Sequence, residues 1–301
     1  MHRVGGSRMK ANVSVVGLLP AAGRARRLRG LIEGSKEAVQ VRRGDEPPIP
    51  VAWHAVEALA LAGVGRVELL VGEHKRDLVQ RLEAARGERA AAATGPLRRR
   101  LDGLDLRYRA TPETPSPTHT LALALADEQL RDADVALAFP DILFEPRTAF
   151  AWLLETLATS SADVLLGCFP AQSPEKTDMV EMGSNGVLRR LWIKQPDRGL
   201  RYTWQIAVWR PAFSRLVVAA ARRWDDPARA AVGAACADGS ATSELHVGRE
   251  IEQAVEEGLE VCCVPFPHGS CRDIGTPEEL AAVRVESGPG ERAGDGGRES
   301  G

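Results

Sequence analysis

Short apolar runs alternate with longer amphipathic segments along this 301-residue chain. Runs rich in Val, Leu and Ala predict buried β-strands, and apolar residues at helical spacing predict helices. Strands are predicted at residues 13–19, 66–71, 104–109, 135–139, 162–169, 202–209 and 259–266. Helices are predicted at residues 50–63, 73–86, 118–130, 147–158, 211–223 and 244–257. This alternation indicates an α/β fold with a largely parallel, doubly wound sheet.

Two internal segments depart from the alternation. Residues 87–103 are rich in Ala, Gly and Arg and are predicted to form an exposed excursion. Residues 178–194 contain two short apolar runs around a Gly-Ser-Asn-Gly turn, which predicts a β-hairpin. At the ends, residues 1–11 are interpreted as a flexible extension and the Gly/Glu/Arg-rich residues 285–301 as a disordered tail. A chain of this length can form one large α/β domain or two small ones.

Composition narrows the classes of function. A formal net charge of -2 gives no indication of a nucleic-acid partner. The five cysteines lack C-x-x-C spacing, which argues against a disulfide framework or a zinc knuckle and favours a reducing, cytoplasmic location. No apolar run has the length of a membrane span. We therefore expect neither a nucleic acid nor a membrane as a partner.

The beginning of the chain imitates a secretory signal, because Arg3, Arg8 and Lys10 precede an apolar segment. Gly17 and Pro20 interrupt that segment, and arginines follow it directly, so a β-strand is the favoured interpretation. Either Met1 or Met9 could be the start.

A cluster of small and cationic residues follows the first predicted strand. The small residues are Pro20, Ala21, Ala22 and Gly23. They let the backbone approach a phosphate closely, and Arg27 and Lys36 would add charge-assisted contacts. A buried strand followed by a solvated basic loop explains the residues equally well. Neither G-x-x-x-x-G-K-[ST] nor G-x-G-x-x-G occurs in this stretch, and the missing glycine fingerprint argues against a dinucleotide-dependent oxidoreductase.

Asp141 follows the predicted strand at residues 135–139. Open α/β sheets bind ligands beyond the carboxyl ends of their strands, and a carboxylate there is a natural Mg²⁺ ligand. A turn or capping role ahead of Pro146 is the alternative.

Four landmarks in order resemble the sugar-1-phosphate nucleotidyltransferases, the glucose-1-phosphate thymidylyl- and uridylyltransferase family. They are the loop from Pro20 to Leu28 with Lys36-Glu37, the strand-end Asp141, the hairpin Lys194, and the late Asp273-Ile-Gly-Thr-Pro277. The resemblance covers residues 12–284. It implies a Rossmann-like, GT-A-like mixed sheet with helices on both faces and a β-hairpin insertion that binds the sugar.

The resemblance also implies the reaction. A nucleoside triphosphate, with dTTP or UTP as the first choice, would react with a sugar-1-phosphate to give an NDP-sugar and pyrophosphate. Catalytic roles fall on Arg27, Lys36, Asp141 and Asp273. Nucleotide binding falls on Pro20, Ala21, Ala22, Gly23, Arg27, Lys36 and Glu113. Lys194 would bind the sugar phosphate, and Asp141 and Asp273 would hold Mg²⁺.

Several positions differ from the family pattern. The departures are Ala25-Arg26 for Gly-Thr, Ser35 for proline, Pro117 and Pro140 for glycine, Asp178 for glycine, Ile193 for glutamate and Gln205 for glycine. They imply altered specificity or, alternatively, a non-catalytic paralogue that binds a nucleotide sugar and regulates a partner. Cytidylyltransferases share the first loop, but the hairpin lysine and the late motif fit sugar substrates better. Base, sugar and oligomeric state, a homo-oligomer included, are left open.

Overall fold

The structure is a computed structural model that describes residues 14–24, 28, 30–44, 46–195, 198–225 and 245–286. Its strands are β1 (Val15–Ala21), β2 (Gln40–Val41), β3 (Ile49–Pro50), β4 (Arg66–Gly72), β5 (Asp105–Thr111), β6 (Asp134–Ala138), β7 (Ile142–Glu145), β8 (Val164–Pro170), β9 (Met179–Met182), β10 (Leu188–Trp192), β11 (Tyr202–Trp209), β12 (Val261–Pro265) and β13 (Ser270–Asp273). Its helices are α1 (Val51–Leu61), α2 (Arg76–Ala92), α3 (Gly95–Asp102), α4 (Pro117–Leu125), α5 (Glu128–Arg131), α6 (Ala149–Thr159), α7 (Pro211–Trp224), α8 (Val247–Glu256) and α9 (Pro277–Glu286). The expected extension at residues 1–11 and residues 287–301 of the expected tail lie outside the described residues.

A nine-stranded mixed sheet forms the centre of the molecule. β1 pairs in parallel with β4 and β6, and β4 pairs in parallel with β5. β11 is antiparallel and lies between β6 and β8, and β12 continues the sheet parallel to β8. The β9–β10 hairpin joins the beginning of β11. This arrangement confirms the predicted mixed, mostly parallel sheet and the hairpin.

Helices cover both faces of the sheet, as a doubly wound fold requires. On one face, α1, α2, α3 and α6 pack against Leu19 of β1 and its neighbours. On the other, α4, α5, α7 and α8 pack against Val16 and Leu18. Successive residues of β1 therefore enter opposite cores, because side chains alternate across a strand. None of the described helices combines the length and the apolar character that crossing a membrane requires.

Two predictions about the helical segments were wrong. The segment at residues 87–103 is not an excursion, because α2 continues to Ala92 and α3 follows. Its alanines and arginines are strong helix formers, and Leu101 of α3 is buried, so helix propensity and packing outweigh the cost of Gly87. The predicted helix at residues 118–130 is divided in two, because the Asp127 side chain accepts a hydrogen bond from the Gln129 backbone N–H and starts a new helix.

A small two-stranded sheet outside the central one was not predicted. In it, β7 and β13 pair antiparallel, with Asp273 opposite Ile142. The Ile274 backbone N–H donates to the carbonyl oxygen of Asp141 at 3.1 Å. This pairing brings Asp141 and Asp273 together although they are far apart in the sequence.

Candidate active site

A cavity of about 610 Å³ lies at the carboxyl end of β6. Its lining includes Lys36, Asp141, Lys194 and Asp273, four of the residues singled out in the sequence. They come from four separate segments of the chain. The fold therefore brings two carboxylates and two ammonium groups to one concave surface.

Lys36 and Asp141 form an ion pair inside the cavity. Burial opposes the charged form of Lys36, but Asp141 and Glu37 together raise the pKa of Lys36 above its usual value. Burial would likewise raise the pKa of Asp141, but the charge of Lys36 holds that pKa below the usual range. Both groups are therefore charged at neutral pH, and each stabilises the other.

Asp273 is in a different electrostatic state although it opens onto the same cavity. Although Asp273 is exposed, desolvation by the cavity wall and then the neighbouring charge of Asp141 raise the pKa of Asp273 to about 7, and Lys36 only partly offsets them. The Gly275 backbone N–H donates to Asp273 Oδ1 at 2.7 Å and fixes the carboxylate's orientation. The Asp141–Asp273 pair thus carries more negative charge than Lys36 balances.

The turn that carries Lys36 is tied to the beginning of α2. The Ser35 backbone N–H donates to Asp77 Oδ2 at 2.7 Å, and the Ser35 hydroxyl donates to Asp77 Oδ1 at 2.8 Å. Gly34 before it has φ of +83°, and a Cβ there would collide with the Asp77 carboxylate. Only glycine fits this position without strain. A proline at 35 could not donate the first of these bonds, so Asp77 explains why serine is suitable here.

A buried ion pair holds the other side of the same turn. Lys75 Nζ lies 2.7 and 2.6 Å from the two carboxylate oxygens of Glu37, and both side chains are 2% exposed. Because a buried charge without its partner is costly, this pair fixes the position of Glu37 and of the adjoining Lys36. Lys75 and Asp77 were not predicted, since no local pattern indicates side chains that meet across about 40 residues.

Lys194 reaches the cavity from the hairpin. β10 ends at Trp192, so Lys194 lies in the turn beyond the strand and not at its end as predicted. Its φ is +47°, in the left-handed region that residues other than glycine rarely adopt. Such conformations often occur at functional sites, where the surrounding structure holds them.

The described residues of the first loop are not part of the cavity lining. Pro20 and Ala21 end β1, and Ala22 and Gly23 follow directly. The side chains of Ala21 and Ala22 are buried, so only their backbone could meet a ligand. Glu113 pairs with Arg24 at 2.7 Å, which joins the loop after β5 to the loop after β1. Arg27 lies outside the described residues.

Two helices begin at the cavity, which affects its electrostatics. Pro117 at the beginning of α4 and Val247 and Gly248 at the beginning of α8 belong to the lining. Helix N-termini carry partial positive charge and favour anions. The charged side chains of the lining sum to a formal charge of -2. They are Lys36, Lys176, Lys194, Asp141, Glu175, Asp178, Asp273 and Glu279.

The fold has counterparts among solved structures. A Bacillus anthracis protein assigned as a glucose-1-phosphate thymidylyltransferase, in complex with a sucrose, matches with a TM-score of 0.69 at 14% identity, over 93% of this chain and 98% of that one. UTP-bound UGPase from Acinetobacter baumannii matches with a TM-score of 0.66 at 14% identity, over 92% of this chain and 94% of that one. A UDP-glucose pyrophosphorylase complexed with UDP-glucose matches with a TM-score of 0.65 at 14% identity, over 91% of this chain and 98% of that one. The chain has the fold of the sugar-1-phosphate nucleotidyltransferases.

This likeness confirms the predicted resemblance at the level of the fold. No family model matches the sequence, and no curated protein matches it. At 14% identity the backbone geometry and not the residues carries the likeness. The likeness therefore assigns no role to an individual side chain.

Proposed function

We propose that the protein is a nucleotidyltransferase that joins a nucleoside triphosphate, dTTP or UTP as the first choice, to a sugar-1-phosphate. The products would be an NDP-sugar and pyrophosphate. The observation that carries the proposal is the single cavity lined by Lys36, Lys194, Asp141 and Asp273. The fold supports it, because similar structures include one bound to UTP and one complexed with UDP-glucose.

The reaction needs no catalytic base. A phosphate oxygen of the sugar-1-phosphate attacks the α-phosphorus, a new P–O bond forms, and the bond to pyrophosphate breaks with its electron pair leaving on pyrophosphate. Because the nucleophile is already an anion, the protein has to align two polyanions and compensate their charge. Lys194 would bind the sugar phosphate and Lys36 the nucleotide phosphates. We assign the departing pyrophosphate to Arg27.

Asp141 and Asp273 fit Mg²⁺ by the chemistry of their donors. Their carboxylates line the same cavity, and the charge of Asp141 contributes to the raised pKa of Asp273. Mg²⁺ binds through one or two carboxylates and takes its remaining ligands from water and substrate phosphates. When bound, it would offset negative charge on the reacting phosphate. Within the described residues no group of three or more His, Cys, Asp and Glu side chains is placed to hold a metal, so substrate oxygens would have to complete the shell.

The test is Mg²⁺-dependent release of pyrophosphate. Each of dTTP, UTP, CTP, GTP and ATP would be paired with a panel of sugar-1-phosphates. We expect release with one nucleotide and one sugar phosphate and none when either substrate or Mg²⁺ is left out. A folded protein that releases no pyrophosphate from any pair would contradict the proposal.

One observation favours a non-catalytic nucleotide-sugar-binding protein as the second candidate. The ion pair between Lys36 and Asp141 neutralises two of the groups that the reaction requires. Substrate and metal would have to separate this pair before turnover. If titration calorimetry shows NDP-sugar binding while no pair of substrates releases pyrophosphate, the binding protein becomes the better explanation.

A further inference from the structure

Asp178 lines the same cavity, and neither the reaction nor the metal site described above uses it. It comes directly before β9, and its backbone carbonyl accepts a hydrogen bond from the Thr203 hydroxyl at 2.9 Å. Thr203 is buried at 1% exposure. The backbone at 178 is thus held independently of the side chain, so the carboxylate can be replaced without moving the strand.

The carboxylate of Asp178 lies between the hairpin and the beginning of α8. A Cβ on Gly248 would come within 2.7 Å of Asp178 Oδ2. The absence of a side chain at Gly248 therefore makes room for the carboxylate. Burial raises the pKa of Asp178, while the charge of Lys194, the Trp204 indole and the Lys194 backbone N–H oppose that rise.

The neighbours of Asp178 do not use its full hydrogen-bonding capacity. A carboxylate accepts about four hydrogen bonds, whereas the buried indole N–H of the neighbouring Trp204 has no hydrogen-bond partner, and the Lys194 backbone N–H is the other donor that affects the pKa of Asp178. Because Asp178 opens onto the cavity, its remaining lone pairs can accept hydrogen bonds from a ligand bound there.

A carboxylate next to a lysine restricts what can bind there. Lys194 attracts a phosphate, and Asp178 repels one. A substrate that satisfies both needs an anionic group at Lys194 and hydrogen-bond donors a short distance away. A phosphate monoester with several hydroxyl groups has this arrangement, and inorganic phosphate does not.

We propose that Asp178 is a specificity-determining residue that accepts hydrogen bonds from hydroxyl groups of the phosphate-bearing substrate. The inference rests on the proposed function, since it takes Lys194 as the site of that substrate's phosphate. It makes Asp178 the residue that selects the non-phosphate part of the substrate.

The test measures coupling between the Asp178 carboxylate and individual substrate hydroxyls. Titration calorimetry would give Kd values of wild type, Asp178→Asn and Asp178→Ala for the preferred sugar-1-phosphate or, without turnover, glucose-1-phosphate. Kd values of the same three proteins would also be measured for each singly deoxygenated analogue of that sugar phosphate, for inorganic phosphate and for the nucleotide. Glu155→Gln, on the exposed side of α6, is the control for loss of one carboxylate. Pyrophosphate release would be followed in parallel.

We expect wild type to bind at least one deoxygenated analogue about tenfold or more weakly than the parent compound. In Asp178→Ala that ratio should fall close to one, while the affinity for the nucleotide stays the same and the affinity for inorganic phosphate stays the same or rises, because the repelling carboxylate is gone. Glu155→Gln should behave as wild type. A merely structural role would lower all the affinities together and leave the ratio unchanged.

Unchanged ratios in both Asp178 variants would overturn the inference, and so would a wild type that binds none of the sugar phosphates. Failure of the proposed function is read separately, as the absence of pyrophosphate release in wild type. Loss of discrimination in Asp178→Ala would support the inference even then, because Kd does not depend on turnover.

Discussion

Lys36 and Lys194 line the same cavity, but the chain holds them in different ways. Lys36 lies in a short turn fixed on one side by the Ser35–Asp77 hydrogen bonds and on the other by the buried Glu37–Lys75 pair. Lys194 lies in a turn after a two-stranded hairpin, with a left-handed backbone and Asp178 as its charged neighbour. One lysine lies in a turn held against α2 by side-chain contacts, and the other follows the hairpin at the edge of the central sheet.

The difference suggests a division of work. Under the proposed function Lys36 meets nucleotide phosphates, which are the same for every sugar, so a fixed position suits it. Lys194 and Asp178 meet the second substrate, which differs between enzymes of this kind. A hairpin of few residues can change its contacts without disturbing the core. The following predictions test this division, from the largest expected effect to the smallest.

Asn substitutions at Asp141 and at Asp273 should have the largest effect. Each keeps the size of the side chain and removes a charge that faces the reacting phosphate. We expect kcat to fall about a thousandfold in each variant. Pyrophosphate release at saturating substrates would measure the loss, and circular dichroism would check the fold. Near-normal turnover in both variants would eliminate the two-aspartate metal site.

The next largest effect should follow from breaking the buried pair beneath Lys36. Lys75→Met leaves Glu37 buried and unpaired, so the free energy of unfolding should fall by about 3–5 kcal/mol. Glu37→Leu added to Lys75→Met should restore much of that stability, because two apolar groups can replace a buried pair. Urea denaturation of the single and double variants would measure both. A loss under about 1 kcal/mol in Lys75→Met would show that the pair does not anchor the turn.

On the hairpin side, Lys194→Ala should act on one substrate only. Alanine has the same difficulty as lysine in adopting a left-handed backbone, so the change reports the loss of the ammonium group. The KM for the sugar phosphate should rise about 10- to 100-fold, as expected for a charged hydrogen bond, with the KM for the nucleotide unchanged. Lys176→Ala, which removes an exposed lysine of the same cavity, is the matched control and should have less effect. If Lys194→Ala weakened only nucleotide binding, the assignment of the hairpin would be wrong.

The smallest effect should come from Ser35→Pro. Ser35 has φ of -82°, close to the value that proline imposes, so the substitution removes two donors without forcing a new backbone. With Asp77 left unsatisfied, stability should fall by about 1–2 kcal/mol and kcat by about tenfold. Ser35→Ala keeps the backbone N–H, so its stability and its kcat should lie between those of wild type and those of Ser35→Pro. Thermal unfolding would measure the loss of stability, and steady-state kinetics would measure the loss of kcat. A Ser35→Pro enzyme with the stability and kcat of wild type would show that Asp77 does not position Lys36.

The sequence was informative wherever the structure depends on local pattern. β1, β4 and β6 are mainly apolar, and the alternation of such runs with helical segments predicted the sheet correctly. The order of motifs also predicted that Lys36, Asp141, Lys194 and Asp273 belong to one site, and the cavity brings them together. Their chemical roles remain predictions.

The sequence was uninformative where structure depends on distant pairing. β7 and β13 are four residues each and obtain their stability from each other, so neither resembles a strand by itself. Asp77 is a common kind of residue for the first turn of a helix, and nothing local indicates that it bonds Ser35. The same holds for Asp178, whose meeting with Gly248 depends on how α8 packs against the hairpin.

The pairing of β7 with β13 also affects when this protein acquires its site. Synthesis proceeds from the N-terminus, so β1, β4, β5 and β6 can begin to assemble while β13 has not yet been translated. Asp141 is then present without Asp273 beside it. The paired carboxylates therefore cannot form before β13 has been translated. The candidate active site is complete only once β13 has paired with β7.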